Sequence, residues 1–124
     1  MLVPQLYLNG ACCEAIELYQ VAFNTVTDSI MFDSQKEPEK YVIHAEMHIL
    51  GTKIMLSDFG GTRESSADTI MEIVAIFEND EVLRKAYQVL QDKSKTITPL
   101  GPTFYSLCLV QFIDKFGVRW CFML

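Results

Sequence analysis

Two histidines and a carboxylate alternate along one short stretch, His44-Ala-Glu46-Met-His48. If that stretch is a strand, the alternation sets all three side chains on one face. Successive side chains on a strand face lie about 7 Å apart, so the three can share a metal ion only with help from another strand. The spacing is not that of the helical His-Glu-x-x-His zinc motif. A His and a Glu within hydrogen-bond reach can instead exchange a proton, because His titrates near neutral pH. His44, Glu46 and Glu72 are therefore the candidate catalytic residues. The plainer reading of the same pattern is a polar face turned to solvent, to a second copy of the chain or to a wet pocket.

The cysteines are Cys12, Cys13, Cys108 and Cys121, with no Cys-x-x-Cys pair and no zinc-knuckle spacing. Adjacent Cys12 and Cys13 are poorly placed for a mutual disulfide. Reduced, packed thiols are the simpler reading, and they point to the cytoplasm. Cys108 or Cys121 becomes a nucleophile only if a cation lowers its thiol pKa, and Arg119 is the neighbour of Cys121 placed to do so. Trp120, Phe116 and Phe112 read as core rather than as a stacking platform. Met31, Met47, Met55, Met71 and Met123 read as core or as adaptable pocket lining, which suits an apolar ligand.

The elements that must position these residues belong to one domain of 124 residues, half of them apolar and 21% charged. The formal charge of −6, with scattered basic residues, disfavours nucleic acid and anionic membrane as partners. No apolar run approaches a membrane span, and Met1 to Asn9 has neither the basic head nor the cleavage site of an export signal.

Val3 to Leu8 predicts a strand, ended by the turn or cap pair Asn9-Gly10. From there Cys12, Ile16, Tyr19 and Phe23 form one helical stripe opposite Glu14, Glu17 and Gln20. Val26 to Phe32 predicts a strand, and after the polar break 34–40, Tyr41 to Ile49 and Lys53 to Asp58 predict a hairpin. A turn at Gly51-Thr52 pairs Ile49 with Ile54. Ile43, Ala45, Met47, Ile49, Ile54 and Leu56 then face the helix, and His44, Glu46, His48, Met55 and Ser57 lie opposite.

Residues 60–67 read as a linker between half-repeats of about 1–59 and 68–124. Thr69 to Phe77 predicts a strand in which Met71, Ile73, Ala75 and Phe77 share a face and Glu72 points the other way. Asn79 caps a helix with acidic residues in its first turn and a stripe of Leu83, Ala86 and Leu90. A short strand at 95–98, a loop at Pro99 to Pro102, and a hairpin of Tyr105 to Ile113 with Val118 to Met123 complete the half. The order strand, helix, strand, strand, strand thus occurs twice, and Tyr19-Gln-Val21 recurs as Tyr87-Gln-Val89. Together these predict an internal duplication of βαβββ units, an α+β fold whose sheets curve around a central cavity. A ferredoxin-like sandwich leaves the third strand of each half unexplained.

The runs Asn9-Gly-Ala-Cys-Cys-Glu-Ala-Ile-Glu-Leu-Tyr19, His44-Ala-Glu46, Met55-Leu-Ser-Asp58 and Asp114-Lys-Phe-Gly-Val-Arg-Trp120 carry a family resemblance. With them the chain resembles the PhnB-like branch of the glyoxalase, bleomycin-resistance and extradiol-dioxygenase superfamily, the vicinal oxygen chelate fold. The closing Asp-x-Phe-Gly-Val-x-Trp motif is its most specific part. The resemblance implies a homodimer, and it implies that Pro4, Met55, Glu72 and Cys121 stand where metal-dependent relatives place four ligands. Only Glu72 is a usual ligand type there, so no metal cofactor is expected. A divalent ion held by Glu72, His48 and Cys121 is the alternative. The branch is sometimes labelled a ubiquinone-pathway methyltransferase, but the sequence has no Gly-rich strand-to-helix turn for a nucleotide-type cofactor.

Three functions compete. In the first, the protein binds a small, partly apolar molecule through His44, Glu46, His48, Met55, Ser57, Glu72, Arg119 and Cys121. In the second, a metal-assisted or acid/base enzyme acts on a small oxygenated substrate at the same place. In the third, the protein is a structural dimer with a vestigial pocket.

Overall fold

The computed structural model describes residues 1–34, 39–61 and 69–124. The chain divides into two compact units, Met1–Arg63 and Glu64–Leu124. Within the expected linker and the expected polar break, positions 62–67 and 35–38 lie outside the described residues.

Unit 1 comprises β1 (Gln5–Tyr7), α1 (Cys12–Ala22), β2 (Thr27–Phe32), β3 (Val42–Ile49) and β4 (Thr52–Ser57). Its strands form a mixed sheet in the order β1-β4-β3-β2, in which β1 runs parallel to β4 and the other pairs are antiparallel. Unit 2 comprises β5 (Ile73–Ile76), α2 (Asp80–Leu90), β6 (Lys95–Gly101), β7 (Leu109–Ile113) and β8 (Arg119–Met123), in the matching order β5-β8-β7-β6. The predicted α+β pair of βαβββ units is therefore present. The echoed tyrosines, Tyr19 and Tyr87, occupy the same position in two helices of equal length, and both are buried.

Helix α1 packs on β3, with Cys12, Ile16, Tyr19 and Phe23 buried as the periodicity requires. Helix α2 packs on β8, and the Tyr87 ring meets Phe112 edge-on at 5.0 Å. Phe112, Trp120 and Phe122 beneath it are wholly buried.

The β3–β4 hairpin turns at Leu50-Gly51, whose φ values of 49° and 84° suit the two-residue turn that follows strand twist. Ile49 therefore pairs with Thr52 rather than Ile54. The slip is an even number of residues, so the faces stay as predicted. Ile43 departs from them. The register shift that pairs Met31 with His44 but Phe32 with Val42 makes Ile43 the extra residue of a bulge. Val42 is thus buried and Ile43 exposed, against the alternation.

In unit 2 the strand at β6 continues through Pro99 to Gly101 instead of giving way to a loop. It is an edge strand, where a missing N–H costs no ladder bond. Strand β7 starts at Leu109, not Tyr105, because Thr103 and Ser106 close a tight turn through Thr103 N to Ser106 O (2.8 Å) and Ser106 N to Thr103 Oγ1 (3.0 Å). Strand β5 is shorter than predicted and leaves Met71 exposed rather than lining a core; Met31 is exposed as well.

Two buried aspartates join the elements. Asp58, just past β4, accepts Gly10 N (2.6 Å) and Cys12 N (3.0 Å) on Oδ1 and Val42 N (2.8 Å) on Oδ2. It supplies the N-terminal cap that Ala11 cannot give α1. Helix α2 has its own cap, Asn79, which accepts Val82 N at 2.9 Å. Asp114, in the β7–β8 turn, accepts Phe116 N (2.9 Å) and Val118 N (3.0 Å) on Oδ1. Among the described residues no helix is long and apolar enough to cross a membrane.

Candidate functional site

The helix-free face of each sheet carries the candidate residues. In unit 1, strand register sets Gln5, Met55 and Glu46 side by side across β1, β4 and β3. Glu46 Oε2 accepts from His44 Nε2 at 2.9 Å, and Glu46 Oε1 accepts from Lys53 Nζ at 3.1 Å. The hydrogen bond from His44 first, then that from Lys53, holds the Glu46 carboxyl below the usual carboxylate range. The result is an ionised carboxylate that orients an imidazole, the arrangement an acid/base pair requires.

His48 does not join that cluster. Its Nδ1 donates to Asp28 Oδ2 at 2.5 Å, and both side chains are about half exposed. Ser57 is buried, and its hydroxyl donates to the bulge carbonyl of Ile43 at 2.6 Å while accepting Phe59 N at 3.0 Å. It therefore shapes the end of β4. The pattern His-x-Glu-x-His signals one shared face but not partners on other strands, so Asp28 and Lys53 escaped sequence reasoning.

In unit 2, Glu72 lies one residue before β5, and Arg119 and Gln111 come from β8 and β7. Glu72 Oε2 accepts Arg119 Nε at 2.8 Å and Gln111 Nε2 at 3.0 Å. Thr98 Oγ1 in turn donates to Gln111 Oε1 at 2.6 Å, which fixes the amide orientation. Cys121 pairs across the ladder with Gln111 and sits beside this group. Glu72, Arg119 and Cys121 thus come together as a set within unit 2, and His44 with Glu46 forms a pair within unit 1. Gln111 was missed, although it is the lone polar side chain in the apolar run of β7.

The cysteines are not poised to attack. Burial pushes the Cys121 thiol up to about 11, and the Glu72 charge adds to this against the opposing pull of Arg119. Burial, followed by the Asp80 carboxylate, also raises Cys108. Both thiols are therefore protonated at neutral pH.

Among the described residues, the candidate ligands within each unit do not fit a divalent ion. Glu72, the one usual ligand at the four family positions, already has both of its neighbours as donors, and Cys121 would first have to lose a strongly held proton. Met55 offers only a thioether, and the Pro4 carbonyl accepts Met55 N at 2.9 Å within the ladder. His48 is tied to Asp28 in the other unit's sheet. Among the described residues no three His, Cys, Asp or Glu side chains are grouped to hold a metal.

No protein-family model matches the chain, and neither does any curated protein sequence. Solved structures do match. The PhnB protein of Bacillus cereus, which carries a provisional 3-demethylubiquinone-9 3-methyltransferase name, aligns with a TM-score of 0.85 at 25% identity over 99% of this chain and 98% of its own. Protein PA1353 of Pseudomonas aeruginosa aligns at 0.83 and 25% identity over 99% and 96%. A glyoxylase/bleomycin resistance protein/dioxygenase domain from a Frankia species, at 15% identity and 0.66 over 99% and 93%, shares the fold. This chain is therefore PhnB-like and has the fold of the glyoxalase, bleomycin-resistance and dioxygenase structures.

Proposed function

We propose that the protein binds a small, partly apolar molecule on the helix-free face of the unit 2 sheet and does so without a metal ion. The observation that carries this reading is the Glu72 carboxylate held between Arg119 and Gln111. Where a metal-dependent relative would need an open ligand, this chain has a closed set of hydrogen bonds with its geometry fixed in advance. Cys121 and Met123 share that face by register and supply apolar surface around it. Four free cysteines suit a reducing compartment, so we assign the protein to the cytoplasm.

The test is to purify the protein from cells, denature it and identify released small molecules by mass spectrometry, alongside a thermal-shift screen of partly apolar oxygenated compounds. A co-purifying molecule, or a compound whose stabilisation is lost in Glu72→Ala and Arg119→Met, supports the reading. No released molecule and no shift from any compound would sink it.

A second reading is an acid/base enzyme, favoured by the His44–Glu46 hydrogen bond at 2.9 Å. It predicts that His44→Gln removes turnover of whichever oxygenated compound binds, leaving its affinity unchanged. Equal chemical stability of that compound with and without the protein rejects it.

A further inference from the structure

Unit 2 has an open groove of about 470 Å³ between α2 and the edge strand β6. Arg84, Gln88 and Gln91 form its helical wall, spaced i, i+4 and i+7 so that one face of α2 carries all three. Thr96 faces them from β6, and a bulge aims it there. Thr96 pairs with Phe112 and Thr98 with Gln111, so β6 takes two steps where β7 takes one, and Ile97 is the extra residue. In a regular strand Thr96 and Thr98 would share a face. The bulge turns Thr98 to Gln111 and the Glu72 set, and Thr96 to the side of Phe112, whose ring meets Tyr87 of α2. The groove is therefore on the helix side of the sheet, away from Glu72. Its polar groups are unengaged: among the described residues Gln88, Gln91 and Thr96 make no side-chain hydrogen bond. Asp80 holds the Arg84 guanidinium through Nε at 2.8 Å, which leaves the two terminal amino groups to donate elsewhere.

We propose that this groove is a second binding site, for a small monocarboxylate that also carries an amide, the N-acyl amino acid class, with the carboxylate on Arg84 and the amide between Gln88 and Gln91. The two amino groups of a guanidinium match the two oxygens of a carboxylate. Each Gln side chain offers one acceptor oxygen and one donor NH2, which complement the N–H and C=O of an amide. No carboxylate lines the groove, so nothing within it repels the anion. Asp80 offsets part of the Arg84 charge, which suits a single negative charge better than a phosphate dianion. The negative end of the α2 dipole lies at Gln91, so the charged end of the ligand belongs at Arg84 and its neutral end at Gln91, about 10 Å along the helix. The buried ring of Tyr87, with Pro99 and Leu100, gives the acyl group an apolar floor. The site lies wholly within unit 2 and does not depend on the ligand reading given above.

The experiment titrates the full chain with three probes: hippurate, which has the carboxylate, the amide and an aromatic acyl group; hippuramide, which lacks the charge; and 3-phenylpropionate, which lacks the amide. Binding is followed by NMR, with the side-chain amide signals of Gln88 and Gln91 as reporters. Hippurate should shift both signals and bind about tenfold more tightly than hippuramide and about fivefold more tightly than 3-phenylpropionate. Arg84 and Gln88 are exposed on α2, so replacing them leaves the core intact. Arg84→Met should weaken hippurate about tenfold, and Gln88→Leu about three- to fivefold. Arg84→Lys, which keeps the charge but not the fork, should also weaken it. Arg119→Met, on the other face of the sheet, should leave hippurate binding as in the parent. No shift of the two Gln signals, equal affinity for hippurate and hippuramide, or parent-like affinity in Arg84→Met overturns the proposal. So does loss of hippurate binding in Arg119→Met alone, which would place the probe on the Glu72 set and leave the reading of that set standing.

Discussion

Trp120 Nε1 donates to Asp114 Oδ2 at 2.9 Å, closing a loop of side-chain and backbone bonds around the β7–β8 turn. With Phe116 N and Val118 N on Oδ1, the carboxylate holds three donors, and Gly117 provides the φ of 94° that lets the chain reverse. The Asp-x-Phe-Gly-Val-x-Trp spacing is thus a turn with its own anchor, and Phe116 is buried along with the indole. Asp114→Ala should destabilise the protein by about 3 kcal/mol or more, since it leaves several buried donors unpaired. Trp120→Ala should cost about 3–5 kcal/mol through lost packing. Urea denaturation measures both, and a parent-like midpoint for either would refute this account of the motif. Gly117→Val should also lower the midpoint.

The Glu72–Arg119 pair is mostly shielded from water, with side-chain exposures of 22% and 17%. Removing one partner leaves a partly buried charge, so a double-mutant cycle of Glu72→Gln and Arg119→Gln should return a coupling of about 1–3 kcal/mol. A coupling near zero would mean that the pair is a loose surface contact.

Adding zinc or nickel should leave the melting temperature unchanged. An ion bound to the folded state at a hundredfold over its Kd would add about 2.7 kcal/mol, which is easily seen. A rise in melting temperature that Glu72→Ala abolishes would contradict the metal-free reading.

The buried thiols make stability fall at alkaline pH. Burial, the Asp58 charge and the neighbouring Cys13 push Cys12 up to about 12, and Cys121 stands at about 11, against an ordinary 9.0. A raised folded-state pKa means that the contribution is complete below pH 9.0 and is lost as pH rises from there toward 11 and 12. Each such thiol lowers stability by about 1.4 kcal/mol per pH unit in that window. Melting of the parent and of Cys12→Ala with Cys121→Ala, compared from pH 8 to pH 10.5, should show a steeper decline in the parent. Parallel declines would show that other groups govern the slope.

Self-association is a further expectation. Val74 and Ile76 leave apolar side chains exposed on the edge strand β5, which is a surface a second copy could cover. Sedimentation at micromolar concentration should give twice the chain mass, and a Val74→Lys, Ile76→Lys variant should shift it toward one. A parent that stays monomeric at all concentrations contradicts the dimer.

Much of this architecture is legible in the sequence because period-two and period-3.6 patterns are strong in Val42–Ile49 and in both helices. What escaped was what periodicity does not encode. The bulge at Ile43 comes from pairing with β2, so the strand's own alternation mispredicts Val42 and Ile43. Pro99 reads as a loop until its strand is known to be an edge. The Glu72 set was half visible: parity placed Glu72 and the family resemblance placed Cys121, but Gln111 and Thr98 come from strands distant in sequence.

The cap of α1 carries a consequence for the order in which the protein folds. Cys12 N and Gly10 N wait for a carboxylate 46 and 48 residues further along the chain. As the chain leaves the ribosome, α1 is therefore made long before the group that finishes it, and its first turn frays until β4 closes that loop. Helix α2 has its cap three residues from the donor and can complete its first turn locally. Two helices of one topology thus start differently: the first turn of α1 waits on a long loop closure, and that of α2 is capped by its own residue as soon as it forms.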